Sequence, residues 1–296
     1  MSLIATLVCR PADRAVDAAL LARAASALGE AGEPDILSPG VAADLPFAAS
    51  DAAAADRQVR AALSGAPVDV FVQSARGRRK RLLIADMDST MIRQECIDEL
   101  AAELGLKEQI SGITERAMRG EIAFEPALRE RVALLKGLAV SKIETVLNSR
   151  IQLMPGGRTL VQTMKANGAY CALVSGGFTR FTGPVASMIG FDENQANVLL
   201  EEQGVLTGAV TEPILGREAK RTRLKALVAE RQLDMSETLA VGDGANDLAM
   251  LETAGLGVAY RAKPAVAEAA DARVDHGDLT ALLFLQGYRE SEFVLG

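Results

Sequence analysis

The sequence predicts an α/β protein: a doubly wound parallel sheet with a helical cap inserted after its first strand, preceded by a smaller α+β unit of ferredoxin-like type. Three observations predict it. Short apolar runs alternate with helical patterns from Leu82 onward. A stretch without strand signal, 93–149, interrupts that alternation after the first run. Residues 1–75 read strand–helix–strand–strand–helix–strand.

Each element has its own reason. Ser2–Cys9 is an apolar strand, and an Ala/Leu-rich helix is expected over Arg14–Leu28. Weak extended stretches follow at Pro34–Leu37 and Leu45–Ala48, then an Ala-rich helix, Ala52–Leu63, and a β-branched strand, Val68–Val72. The basic run Arg76, Arg78, Arg79, Lys80 and Arg81 reads as a solvated linker and divides the chain into units 1–75 and 76–296. Beyond it, Leu82–Ala85, Ala172–Val174, Thr238–Val241 and Gly257–Ala259 are short continuous apolar runs, as in parallel strands buried on both faces. Helical patterns cover Gly156–Ala166, Phe181–Ile189, Lys220–Arg231, Asn246–Ala254 and Pro264–Ala269. Within 93–149 only amphipathic helices are expected, around Cys96–Leu104, Glu108–Met118 and Glu125–Leu135, which suits a cap over the sheet edge.

Composition narrows the function. With 49% hydrophobic and 24% charged residues, the 296-residue chain has ample apolar surface to offset the entropy of folding. A formal net charge of −7 excludes a general nucleic-acid binder, which carries the opposite balance. No apolar stretch reaches the ~20 residues of a membrane span. The N-terminus lacks the basic and apolar regions of a signal peptide, so a cytoplasmic protein without membrane association is expected. Cys9, Cys96 and Cys171 follow no paired pattern, which suits a reducing compartment. His276 is the only histidine, and this excludes His-based triads and multi-His metal sites.

Ligands of doubly wound sheets bind at the carboxyl ends of the strands, and the polar groups of this chain gather there. One strand ends in Asp86-Met87-Asp88-Ser89-Thr90, a second in Ser175-Gly176-Gly177, and a third in Gly242 to Asp247; Lys220 opens a helix before the third. Any one of these could be a turn or a cap. Together, in chain order, they place Asp86, Asp88 and Asp243 at one edge. Each pair of like charges at ~4 Å costs about 4 kcal/mol at an effective dielectric of ~20, which a hard divalent cation relieves. Oxygen ligands without His or Cys favour Mg²⁺. Lys220, the Ser175 hydroxyl and the amides beside it would supply donors for an oxyanion, so the set describes a phosphate site.

These motifs resemble the haloacid-dehalogenase (HAD) superfamily of aspartyl-phosphate phosphatases, from Leu82 to the C-terminus. Glu95 and the stretch Phe124 to Arg131 further resemble its phosphoserine phosphatase branch. The resemblance implies Asp86 as nucleophile and Asp88 as the proton donor and acceptor. It implies Mg²⁺ held by the Asp86 and Asp243 carboxylates and the Asp88 backbone carbonyl, with Asp247 in support. Ser175, Gly176, Lys220 and Asn246 would hold the phosphoryl group. Glu95 and Arg131 would read the amino and carboxylate ends of phosphoserine, with Met118 and Phe124 closing over it. The expected activity is hydrolysis of O-phospho-L-serine, the last step of serine biosynthesis. Residues 1–75 are similar in arrangement to ACT-like regulatory domains, through which a homodimer is expected if the chain dimerises. Two rival readings stand beside this one. The first is a phosphotransferase or broader phosphomonoesterase using the same site; the second is an amino-acid-sensing protein with a vestigial catalytic fold.

Overall fold

Alternation along β1 (Ser2–Cys9) sends Leu3, Ala5, Leu7 and Cys9 to one face and Thr6 and Val8 to the other, and two packing layers follow from that split. In the computed structural model, which describes residues 1–118 and 121–295, β1 is followed by α1 (Ala18–Leu28), β2 (Asp35–Ser38), β3 (Ala42–Ala48), α2 (Ala52–Ala62) and β4 (Val68–Ser74). The strands form an antiparallel sheet of order β2-β3-β1-β4. Both helices start on an aspartate: Asp17 accepts from the Leu20 amide at 2.8 Å and Asp51 from the Ala54 amide at 3.0 Å. Leu20, Leu21 and Ala24 of α1 and Ala55 and Val59 of α2 then pack on the first face of the sheet.

Arg76, Arg79 and Arg81 of the run 76–81 are exposed, as a solvated linker requires, but Arg78 and Lys80 are not. The Arg78 side chain is only 9% exposed, and its guanidinium spans Asp44, at 2.6 and 3.1 Å, and the carbonyls of Phe284 and Leu285, each at 3.1 Å. Lys80 is buried too, with its ammonium on the carbonyls of Gly77 and Ser236. Counting basic residues misses this, because the acceptors lie more than thirty and more than two hundred positions away.

From Leu82 the chain runs β5 (Leu82–Ala85), α3 (Cys96–Ala102), α4 (Lys107–Met118), α5 (Phe124–Ala133), α6 (Ser141–Ser149) and α7 (Gly157–Ala166). It continues through β6 (Tyr170–Phe178), α8 (Thr179–Ile189), β7 (Glu193–Asn197), β8 (Leu199–Glu202), β9 (Val205–Val210) and α9 (Arg217–Glu230). The remainder is β10 (Thr238–Gly242), α10 (Leu248–Leu251), β11 (Gly257–Tyr260), α11 (Pro264–Ala269), β12 (Ala272–Val274) and α12 (Ala281–Leu285). Six strands make a parallel sheet of order β12-β11-β10-β5-β6-β7, so the doubly wound expectation holds. Leu83, Leu173 and Val241 pack toward α7, α8 and α12; Leu82, Ile84 and Ala240 pack toward α9, α10 and α11. Helices α3–α6 leave the sheet after β5 and return at α7, which makes them the inserted cap.

Several elements differ from expectation. Ser175-Gly176-Gly177 lies within β6, where pairing with β7 shifts register between Val174 and Phe178. Helix α9 begins at Arg217, so Lys220 sits inside its first turn. The helix expected over Asn246–Ala254 shortens to Leu248–Leu251. Strands β7, β8, β9 and β12 add to the expected set: β7 is mostly polar, β8 half acidic, β9 interrupted by Thr207 and Gly208, and β12 only three residues long. The β8–β9 hairpin serves the cap: the Gly137 amide donates to Leu206 O at 2.8 Å and the Val140 amide to Gly204 O at 2.9 Å.

Candidate active site

The site grows from the turn that ends β5. The Asp86 amide donates to Val241 O at 3.0 Å, carrying the ladder one residue past the strand. Met87 is fully buried, and its carbonyl accepts from the amides of Thr90, Met91 and Ile92, which folds the chain back tightly. Ser89 takes a left-handed backbone there, φ 57°, and donates its hydroxyl to Glu95 Oε1 at 2.7 Å. Asp88 accepts from the Cys96 amide at 3.0 Å and from the Ser175 hydroxyl at 3.4 Å, tying the turn to the cap and to β6.

Asp86 uses its Oδ1 twice, with the Met87 amide at 2.8 Å and the Lys220 ammonium at 2.6 Å. Its Oδ2 has no partner among the described residues. Lys220, 2% exposed, also holds Asp247 at 2.6 Å; it lies behind Asp86, not on the cavity wall. Burial alone would lower the Lys220 ammonium, but the Asp247 and Asp86 carboxylates outweigh it and hold the group above its ordinary value. Asp243 accepts from the Thr90 hydroxyl at 3.2 Å.

Asp86, Asp243 and Asp247 each offer a carboxylate oxygen within 4.8 Å of the others. Burial, then the neighbouring carboxylates, pushes Asp243 up to about 8; burial, then Asp86, raises Asp247 against the pull of Lys220. Asp88 is pushed up to about 8, by burial first and then by Glu95 and Asp86. Three crowded acids with only one cation among them fit a divalent metal through oxygen.

A cavity of about 310 Å³ opens above these groups and brings together most of the residues singled out in the sequence. Asp86, Asp88 and Asp243 lie on its floor side, Ser175, Gly176 and Asn246 flank them, and Glu95, Phe124 and Arg131 complete it from the cap. Asp247, fully buried, accepts from the Gly244 amide and lies outside the wall with Lys220. Arg131 is 8% exposed, which rejects a solvated helix charge; it donates to Thr114 Oγ1 at 3.1 Å and Ala127 O at 3.2 Å. Phe124 reaches from the cap onto two glycines. A Cβ on Gly176 would stand 2.9 Å from its ring, and one on Gly216 3.3 Å. The side chain of Met118 lies outside the described residues.

Thr114, Arg217 and Lys263 also line the cavity, and the sequence reading missed all three. For Thr114 the sequence holds no signal beyond its place on a helix. Arg217 precedes Lys220 by less than one helical turn, a spacing that could have been read.

A doubly wound parallel sheet with carboxylates at its strand ends and an inserted cap closing over them defines a capped α/β protein with its site at the carboxyl edge of the sheet. The chain belongs to the haloacid dehalogenase-like hydrolase family, whose match spans residues 83–252. It is 44% identical over 227 residues to the phosphoserine phosphatase SerB2 of Mycobacterium tuberculosis, covering 76% of this chain and 55% of that protein. The chain thus spans about half the length of the first curated relatives it matches. A HAD family hydrolase from Salmonella enterica serovar Typhi superposes with a TM-score of 0.84 at 30% identity, covering 96% of this chain and 98% of that one. A phospho-aspartyl intermediate analogue of phosphoserine phosphatase superposes with a TM-score of 0.66 at 38% identity, covering 70% of this chain and 98% of that one.

Proposed function

We propose that the chain is a Mg²⁺-dependent phosphomonoesterase that hydrolyses O-phospho-L-serine to serine and phosphate, the last step of serine biosynthesis. One observation carries the reading: a single cavity joins the free Oδ2 side of Asp86 to a buried arginine and a glutamate on the cap, the charges needed to read a carboxylate and an ammonium. The named relatives support the substrate. In the first step Asp86 Oδ2 attacks phosphorus, the bond from phosphorus to the serine oxygen breaks, and Asp88 gives that oxygen its proton. In the second, water attacks the aspartyl-phosphate, Asp88 takes its proton, and phosphate leaves Asp86. Ser175, Gly176 and Asn246 hold the phosphoryl oxygens, while the Lys220 ammonium, behind Asp86, fixes the nucleophile through its other oxygen.

Asp86, Asp243 and the Asp88 carbonyl would hold Mg²⁺, with Asp247 behind them. Once bound, the ion offsets the charge of nucleophile and phosphoryl group together. We read 1–75 as an ACT-like regulatory or interaction domain of ferredoxin-like fold, supported by the order β2-β3-β1-β4, and 76–296 as the catalytic domain with its cap at about 93–149. A homodimer through 1–75 would use a strand edge or the helical face, because α12 covers the other face. No described helix is long and apolar enough to cross a membrane, which fits the cytoplasmic reading.

The test is phosphate release from a panel of phosphomonoesters, with and without Mg²⁺, with small hydroxyl acceptors added. Phosphoserine should stand well above aryl and sugar phosphates. Transfer of the phosphoryl group to an acceptor in place of its release would make the chain a phosphotransferase instead.

A further inference from the structure

Four carboxylates face the cavity, Asp86, Asp88, Glu95 and Asp243, and the chain as a whole carries −7. These carboxylates oppose an approaching phosphate dianion, and a cation offsetting Asp86 and Asp243 would lessen that opposition without placing an exposed positive charge on the wall of the cavity. The cations already described cannot relieve this at a distance. Lys220 is 2% exposed and held by Asp86 and Asp247, while Arg131 is 8% exposed and donates to Thr114 and Ala127. Two exposed cations remain on the wall, Arg217 and Lys263.

Arg217 is set apart by what it lacks. Further along α9, Arg221 pairs with Glu218, and Arg223 with Glu193 and Glu230. Arg217 has no ion pair and no hydrogen bond among the described residues. It directly follows Gly216, against which Phe124 of the cap is seated, so it stands at the seam where cap and core meet.

We propose that Arg217 captures the phosphoryl dianion at this seam and delivers it to the Asp86 turn, selecting doubly charged phosphomonoesters. The inference rests on the phosphomonoesterase reading above. Because Arg217 acts on arrival and not on bond breaking, removing it raises KM while kcat stays near the parent value. Salt screens the effect, since it works through an exposed charge.

The full-length chain, its Arg217→Gln, Arg217→Glu and Arg217→Lys variants, phosphoserine as substrate and inorganic phosphate as competing anion make the test. At ~20 mM ionic strength KM should rise about threefold for Gln and about tenfold for Glu, with Lys close to the parent. The inhibition constant of inorganic phosphate should move in parallel. At ~0.5 M the differences should shrink to less than about twofold. Equal KM values at low salt overturn the proposal, as does a deficit that falls on kcat or survives high salt unchanged. If the parent turns over no phosphomonoester, the functional reading falls and this inference with it; turnover by the parent with unaffected variants removes this inference alone.

Discussion

Asp86 divides its two oxygens, one held by Lys220 and the Met87 amide and the other without a partner among the described residues. Asp86→Asn keeps the shape and removes the attacking anion, so kcat should fall at least about 10³-fold, measured as phosphate release from phosphoserine. Arg131 offers a different readout. Removing one partner of a desolvated charge pair costs ~2–5 kcal/mol, so Arg131→Ala should lower kcat/KM for phosphoserine about thirty-fold or more. An aryl phosphate, which has no carboxylate for Arg131 to meet, should lose much less. Equal losses on both substrates would make Arg131 a support of the cap. Residues of this kind were readable because period-two alternation and strand ends place Asp86, Asp88 and Asp243 at one edge without any long-range information. The position of Lys220 behind Asp86 was not readable, because it depends on how α9 packs against β6 and α10.

The β8–β9 hairpin turns through Gln203 and Gly204, both left-handed at φ 50° and 79°, the geometry of a two-residue hairpin. Its strands were missed because Leu199–Glu202 is half acidic and its apolar partner is the cap, not the sheet. Strand β7 was missed for a different reason: it is a mostly polar edge strand of the parallel sheet, and its Glu193 accepts from two nitrogens of the Arg223 guanidinium on α9, each at 2.7 Å. Those hydrogen bonds hold the Glu193 carboxyl below its ordinary value, against a smaller desolvation effect. A carboxyl lowered by folding stabilises fully above its unfolded value of about 4.3 and loses that contribution as pH falls through the folded one. Glu193→Gln should therefore flatten the fall in Tm between about pH 5 and pH 3, measured by thermal melts in matched salt, while melts near pH 7 show the lower Tm. Parallel acid limbs for parent and variant would contradict it. The core strands, by contrast, were legible: Leu82–Ala85 is buried at every position, so apolarity alone marked it.

Across the whole molecule, the three crowded acids of the site, two buried and one half-buried, make the metal-free chain carry repulsion that a cation relieves. Mg²⁺ at a hundred times its Kd should stabilise by about 2.7 kcal/mol, read as a rise in Tm. Asp243→Asn should raise the Tm of the metal-free chain and abolish most of that Mg²⁺ response. No Mg²⁺-dependent shift in the parent would remove the metal site. The two sheets are joined by groups no composition rule could find: Asp69, buried in β4, accepts from the amides of Asp275, His276 and Gly277, while Arg78 reaches Asp44 and the end of α12. Arg78→Ala leaves Asp44 buried with only the Thr6 hydroxyl, and should cost about 3–5 kcal/mol in denaturant melts. Evolutionary shuffling meets the same obstacle. A graft that exchanged residues 1–75 for the matching piece of a relative would break Asp44 from Arg78 and Asp69 from the 275–277 loop, so the transferable cassette is discontinuous. To keep both contacts intact, such a cassette would carry Arg78 and the stretch around 275–285 together with the N-terminal strands.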